Sequence, residues 1–264
     1  MASARQHVDL RDHGLTTVPA EVWRAPGLRS LALGRNPGLA IPEEIGALTT
    51  LEALYLDESG HEAVPESIGH LARLRILDLG HNALTSLPDA IGRVGALEVL
   101  YLSANRFTEL PSQVRPLRSL TYLGATDNRI AELPPWIGEL DALVELRLHR
   151  NRLTGLPDAI GALRRLRELH LGDNRIAAMP EAVGDLRDLR HLELRNNALT
   201  EVPATLGALQ RLRVLDLRQN RLAALPESLG DLPALEKLDL RWNRFLDPPP
   251  VAQHLQARGC VVLV

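Results

Sequence analysis

The sequence predicts an α/β solenoid in which about twelve short parallel strands alternate with brief helical turns. Three observations predict it. An asparagine returns at multiples of 23 residues, as Asn36, Asn82, Asn105, Asn128, Asn151, Asn174, Asn197, Asn220 and Asn243. Prolines keep the same step from Pro19 to Pro249, and no insertion or deletion breaks the register of eleven copies over 5–249. Fixed self-similarity of this kind marks a repeat stack, in which each unit buries its apolar side only against its neighbours.

Each copy reads L-x-x-L-x-L-x-x-N-x-L-x-x-L-P-x-x-I-G-x-L-x-x, with the first leucine as position 1. Positions 4 and 6 alternate with polar residues, the period-two pattern of a strand with one buried face. In 166–188, Leu169 and Leu171 point inward while Glu168, His170 and Gly172 point out. The asparagine at position 9 sits where the chain turns, and its amide satisfies backbone groups that no strand neighbour reaches. Stacked copies predict a ladder of such amides. Next come "LP", often an acid, and "IG", as in "LPDAIG" at 87–92 and 156–161. Proline opens a short helical or 3₁₀ turn, the acid favours its exposed amides, and the glycine is expected to end it.

The "LxxLxLxxNxLxxLPxxIGxLxx" pattern resembles the leucine-rich repeat family, and its length and "LPxxIGxL" ending are similar to the Ras-group subclass. The resemblance implies a horseshoe with a concave parallel sheet, short helical or 3₁₀ turns on the convex side, and a protein partner on the concave face.

The ends are expected to close one domain, 1–264. Val8 and Leu10 begin a first strand, with Arg5, Asp9, Arg11 and Asp12 as charged edge residues. At 250–264 a helix ends on Gly259, and "CVVLV" forms a capping strand with Val261 and Leu263 placed 23 past Leu238 and Leu240. Its apolar edge offers a route to a dimer, though a monomer is expected.

A net charge of −3 and a pI near 6.3 give no field for nucleic acid or acidic membranes. Apolar runs are far too short to span a bilayer, and the first residues lack the apolar core of a secretory signal. The single cysteine, Cys260, excludes internal disulfides, so a cytoplasmic protein is expected. Of 30 basic residues only Lys237 is lysine, a skew that points to a GC-rich bacterial genome.

If the repeated residues build the scaffold, function lies at the free outward positions 3, 5, 7 and 8. All three tyrosines fall there: Tyr55, Tyr101 and Tyr122, with Asp78 between the first two. Aromatics with a polar tip are typical binding anchors. Toward the C-terminus the same positions become charged: Arg147, His149, His170, Glu193, Arg195, Asp216, Arg218, Asp239 and Arg241, then Trp242. Arg147 is expected to pair with Glu168 or His170, and Arg218 with Glu193 or Asp239, across strands. Trp242 either anchors a partner or covers the C-terminal core. At position 10, Arg106, Arg129, Arg152, Arg175, Arg221 and Arg244 form a column, expected to be a solvated edge, with an acidic or phosphorylated partner as the sharper alternative.

Catalytic chemistry is not indicated: there is no phosphate-cradling loop and no triad, and no cofactor is expected. His149, His170 and His191 step by 21 across neighbouring strands. Diagonal neighbours start about 7–8 Å apart, whereas zinc needs nitrogens at roughly 2.0–2.1 Å, so a metal site there is the weaker reading. Lys237 is expected beside Cys260, lowering its pKa. The functional expectation is a non-catalytic intracellular scaffold or adaptor that binds a protein on the concave face, contacting neither nucleic acid nor membrane. The alternative is a bacterial effector or regulator acting on a host or signalling protein.

Overall fold

The computed structural model describes residues 6–264; the charged edge residue Arg5 lies outside them. The chain divides into two compact units, 1–128 and 129–264. In the first, β1 (His7–Asp9), β2 (Ser30–Ala32), β3 (Ala53–Tyr55), β4 (Ile76–Asp78), β5 (Val99–Tyr101) and β6 (Tyr122–Gly124) lie side by side in chain order. In the second, β7 (Glu145–Arg147), β8 (Glu168–His170), β9 (His191–Glu193), β10 (Val214–Asp216), β11 (Lys237–Asp239) and β12 (Val261–Leu263) do the same. Pairing is parallel, so residues 23 apart stand opposite each other, as Leu146, Leu169 and Leu192 do. This is the expected leucine-rich repeat solenoid, with twelve strands.

The leucine columns explain the stacking. In one copy Leu166, Leu169, Leu171, Ile176, Val183 and Leu186 are all fully buried. No single copy encloses these side chains, so the apolar free energy, about 1.5–3 kcal/mol per buried aliphatic side chain, is gained only when copies stack. The asparagine ladder forms as expected. The Asn174 amide donates to the carbonyls of Leu148 (3.0 Å), Leu171 (2.9 Å) and Gly172 (3.2 Å), and its oxygen accepts from the Leu153 N–H (3.0 Å). One rung differs. Ser59 replaces asparagine, accepting from the Asn36 N–H (3.1 Å) and donating to the Asp57 carbonyl (3.1 Å).

The turns opposite the strands are 3₁₀, as in Asp158–Ala162, Glu181–Asp185 and Ala204–Ala208, except in the first copy, where a short α-helix, α1 (Ala20–Trp23), takes their place. Two expectations about them are corrected. The proline does not occupy the first helical position. Pro157 is extended (ψ 152°) just before the turn, and its carbonyl accepts from the Ile160 N–H at 3.0 Å. Nor does the glycine end the turn by a left-handed conformation. Gly161 lies inside its turn, and a Cβ there would sit 2.5 Å from the Ala182 carbonyl oxygen of the next copy. Glycine is needed because adjacent turns pack backbone against backbone.

At the C-terminal end, α2 (Pro250–Ala257) covers the last copy with Val251, Ala252 and Leu255 buried. The capping strand forms, but one residue out of the expected register. Lys237 pairs with Val261 and Leu238 with Val262, because α2 and Gly259 make this last span 24 residues long. A one-residue slip exchanges the faces of a strand. Val261 is consequently 56% exposed, whereas Val262 is half-buried against the core.

Candidate functional site

The outward face is built from strands of three residues whose middle leucine points inward, leaving positions 3 and 5 outward. Positions 7 and 8 follow as the chain leaves the strand. Position 8 carries a feature not visible in the sequence. Its backbone is left-handed, with φ between 51° and 58°, in eleven copies from Asp12 to Trp242. For a residue other than glycine this costs roughly 1–2 kcal/mol. Parallel pairing enforces it: the Asp173 N–H donates to the Arg195 carbonyl and the Gln219 N–H to that of Arg241, at 2.9 and 2.8 Å.

In the first unit, Tyr55 pairs in register with Asp78 and Asp78 with Tyr101. Tyr101 and Tyr122 meet directly, their ring centroids 4.8 Å apart and tilted by 47°. Gly124 makes room for this pair, since a Cβ there would lie 2.9 Å from the Tyr122 hydroxyl. Tyr55 stays two strands away from Tyr101. All three rings are half-buried. Burial pushes the Asp78 carboxyl above its usual value, against the hydrogen bond from the Gly80 N–H (2.9 Å), and the charge of Asp57 adds to the rise.

In the second unit the acids and arginines pair along strands, which corrects the cross-strand expectation for Arg218. Its acidic partner is Asp216 of its own strand (3.0 Å), not Glu193 or Asp239. Arg241 binds Asp239 through Nε (2.9 Å) and a terminal nitrogen (2.6 Å). Arg195 binds Glu193 (2.5 Å) and reaches Asp173 of the preceding copy (2.8 Å). Arg147 pairs with Glu145. The reason is geometric: residues i and i+2 share a face, and an arginine there folds back over a carboxylate two residues earlier. Three adjacent acids, Glu193, Asp216 and Asp239, are thereby neutralised one by one. Burial raises Asp216, while for Asp239 the bonds from Arg241 outweigh burial and lower it.

Trp242 is 64% exposed, with the Arg241 guanidinium 5.2 Å from its ring centroid. It does not cover the core, because the left-handed backbone (φ 58°) turns it outward. The position 10 arginines Arg106, Arg129, Arg152, Arg175, Arg221 and Arg244 are all exposed, as on a solvated edge. Among the described residues none of these six makes an ion pair.

His170 is the hub of the charged face. Its Nδ1 lies 3.0 Å from Glu193 Oε2 and its Nε2 3.1 Å from Glu168 Oε2. Burial opposes its charge, but these two carboxylates outweigh it and raise its pKa; burial and the His170 charge lower that of His191. The hydrogen bond from His170, reinforced by Arg195, holds Glu193 down at about 2. The side chains converge more than backbone spacing implied. The rings of His170 and His191 are 4.9 Å apart, and Glu168, His170 and His191 bring one potential ligand atom each within 4.8 Å of one another. His149 is not part of this group; Glu168 takes its place. The Cys260 expectation is also corrected. Lys237 stands opposite Val261, and burial raises the thiol pKa.

Known proteins agree with this architecture. The leucine-rich repeat region family matches residues 68–149, and the leucine rich repeat family matches 141–199 and 187–245. The chain is a leucine-rich repeat protein. Among curated proteins none matches it. Among solved structures it is similar to an internalin from Listeria monocytogenes, with 23% identity and TM-score 0.78, covering 94% of this chain and 70% of that one. It is also similar to the plant peptide hormone receptor RGFR1 in complex with RGF2, with 31% identity and TM-score 0.74, over 86% of this chain. A TDR receptor gives 29% identity and TM-score 0.81 over 92% of this chain. The chain spans 38% and 44% of those two receptor chains. Proteins of this class generally mediate protein–protein interaction and are typically not enzymes. No helix among the described residues is long and apolar enough to cross a membrane.

Proposed function

We propose that this chain is a non-catalytic scaffold or adaptor that binds a protein partner on the outward face of its strands. The Tyr101–Tyr122 pair carries the proposal. Two half-buried rings pack on each other, with Tyr122 lying over Gly124, so little side-chain entropy remains to be lost on binding. Tyr55 and Asp78 extend that surface. On the second unit the paired residues Arg147, Arg195, Arg218 and Arg241 supply a charged surface with His149 and His170, and Trp242 adds an exposed ring. Aromatic anchors beside a charged rim are the composition that concentrates binding energy. The similar plant receptor, solved in complex with RGF2, supports a polypeptide ligand.

The lone thiol and the arginine-rich composition support a cytoplasmic protein of a bacterium. The test is a pull-down from the native organism with the parent chain and a Tyr101→Ala/Tyr122→Ala variant, each checked for folding. The proposal expects a protein captured by the parent and lost by the folded double variant. Equal capture by both would move the site off the tyrosines.

A further inference from the structure

We propose that Glu168, His170 and His191 form a binding site for a divalent transition-metal ion, zinc above all, on the outward face of β8 and β9. The inference is independent of whether that face binds protein.

The register creates the site. Glu168 and His191 are direct neighbours across β8 and β9, and His170 stands two residues along from Glu168 on the same face. The three residues therefore form a triangle. Zinc with ligands at roughly 2.0–2.1 Å in a tetrahedron places ligand atoms about 3.3–3.4 Å apart. His170 Nε2 and Glu168 Oε2 are already 3.1 Å apart, and no pair in the triangle exceeds 4.8 Å. The remaining closure is a matter of side-chain torsions, since the Glu168 side chain is 43% exposed and free to swing.

A second observation makes this more than a cluster of polar groups. Glu193 Oε2 lies 3.0 Å from His170 Nδ1. A carboxylate accepting from one imidazole nitrogen fixes the proton there and leaves Nε2 as the ligand, the usual support for a metal-bound histidine. Glu193 is itself anchored by Arg195, whose Nε donates to its other carboxylate oxygen at 2.5 Å. His191 supplies the second imidazole, its ring centroid 4.9 Å from that of His170. Two imidazoles and one carboxylate favour zinc over calcium or magnesium, which prefer oxygen alone. Three protein ligands leave the fourth position to water. The positive charge opposing the ion is Arg147, which stands beside His170 in register and is paired with Glu145.

Without metal, His170 bridges Glu168 and Glu193. Protons compete with a metal for imidazole nitrogens, so affinity should fall on acidification. The experiment is calorimetric titration of the metal-stripped full chain with zinc sulfate, beside melting curves with and without zinc. The expected result is one zinc per chain and a raised melting temperature. His191→Gln and Glu168→Gln should each weaken binding at least about tenfold, and Glu193→Gln about 10–100-fold. His149→Gln and His254→Gln should leave it unchanged. Cobalt(II) should bind with the intense visible bands of a four-coordinate ion. Absence of binding heat and of any melting shift, or binding that survives His191→Gln and Glu168→Gln undiminished, would overturn the assignment.

Discussion

Replacing Gly184 by alanine tests how the copies are stacked. Gly184 lies within the 3₁₀ turn Glu181–Asp185, which faces the turn Ala204–Ala208 of the next copy. An added Cβ would stand 2.6 Å from the Thr205 carbonyl oxygen and 2.7 Å from the Thr205 Cβ. Ordinary contacts begin near 3.5 Å, so about 0.9 Å must be recovered by moving backbone, because no flexible side chain stands there to yield. Overpacking of this kind costs about 1–3 kcal/mol, against a gain of roughly 0.4–1 kcal/mol from stiffening the unfolded chain. The net expectation is a loss of about 1–2 kcal/mol, or a few degrees in melting temperature for a chain of this size. Gly95 is the control. Nothing lies within 4 Å of a Cβ there, and Gly95→Ala should be neutral or slightly stabilising. Thermal and urea unfolding of both variants supply the measurement. A Gly184→Ala protein as stable as the parent would refute close backbone packing as the reason for this glycine.

Three further predictions follow from the same structure. Leu171→Ala should cost about 2–5 kcal/mol and Asn174→Ala about 1–3 kcal/mol, the latter by leaving the Leu153 N–H without its acceptor and taking one donor from each of three carbonyls; denaturant melts matching the parent would contradict the core and ladder assignments. Removing 260–264 should uncover Leu238 and Leu240 and lower stability or solubility, and an unchanged, monomeric truncation would show β12 to be dispensable. His61 fills a core position held in most other copies by leucine, isoleucine or phenylalanine, is 7% exposed, and its Nε2 has no hydrogen-bond partner among the described residues. Burial lowers its pKa, so its contribution is intact above the unfolded value of about 6.5 and is lost as pH falls through the lower folded value. His61→Leu should stabilise the protein and flatten that acid-side loss, as read from melting temperatures between pH 7.5 and 5.

Much of the fold was legible because a 23-residue period writes itself into the sequence. The buried leucines, the asparagine ladder and the strand positions are each fixed by one residue type at one spacing. What was not legible depends on relations between copies. The purpose of the "IG" glycine became visible only when Gly161 was seen against the Ala182 backbone, and the slip at Val261 only when α2 had been placed. The left-handed position 8 holds residues as different as Asp173, Ala104 and Trp242, so no residue preference announces it. On the candidate surface, membership was readable but partnership was not. The tyrosines were legible as outward-facing, while the Tyr101–Tyr122 pair depends on the space above Gly124. Arg218 was expected to reach across strands, yet it closes onto Asp216, two residues away, as Arg241 does onto Asp239.

The central claim is that the outward strand face, and not the 3₁₀ turns opposite, binds the partner. Its most direct test is the affinity of the captured partner for two sets of variants, each checked by a melting curve. Truncating one true anchor costs 2 kcal/mol or more, roughly thirtyfold in affinity, so Tyr101→Ala/Tyr122→Ala should abolish micromolar binding. Loss of the ring pair should cost the fold only about 0.5–1.5 kcal/mol. Asp158→Ala and Glu227→Ala, in turns on the opposite side, should bind as the parent does. Loss of binding in the turn variants with full affinity in the tyrosine variant would contradict the account.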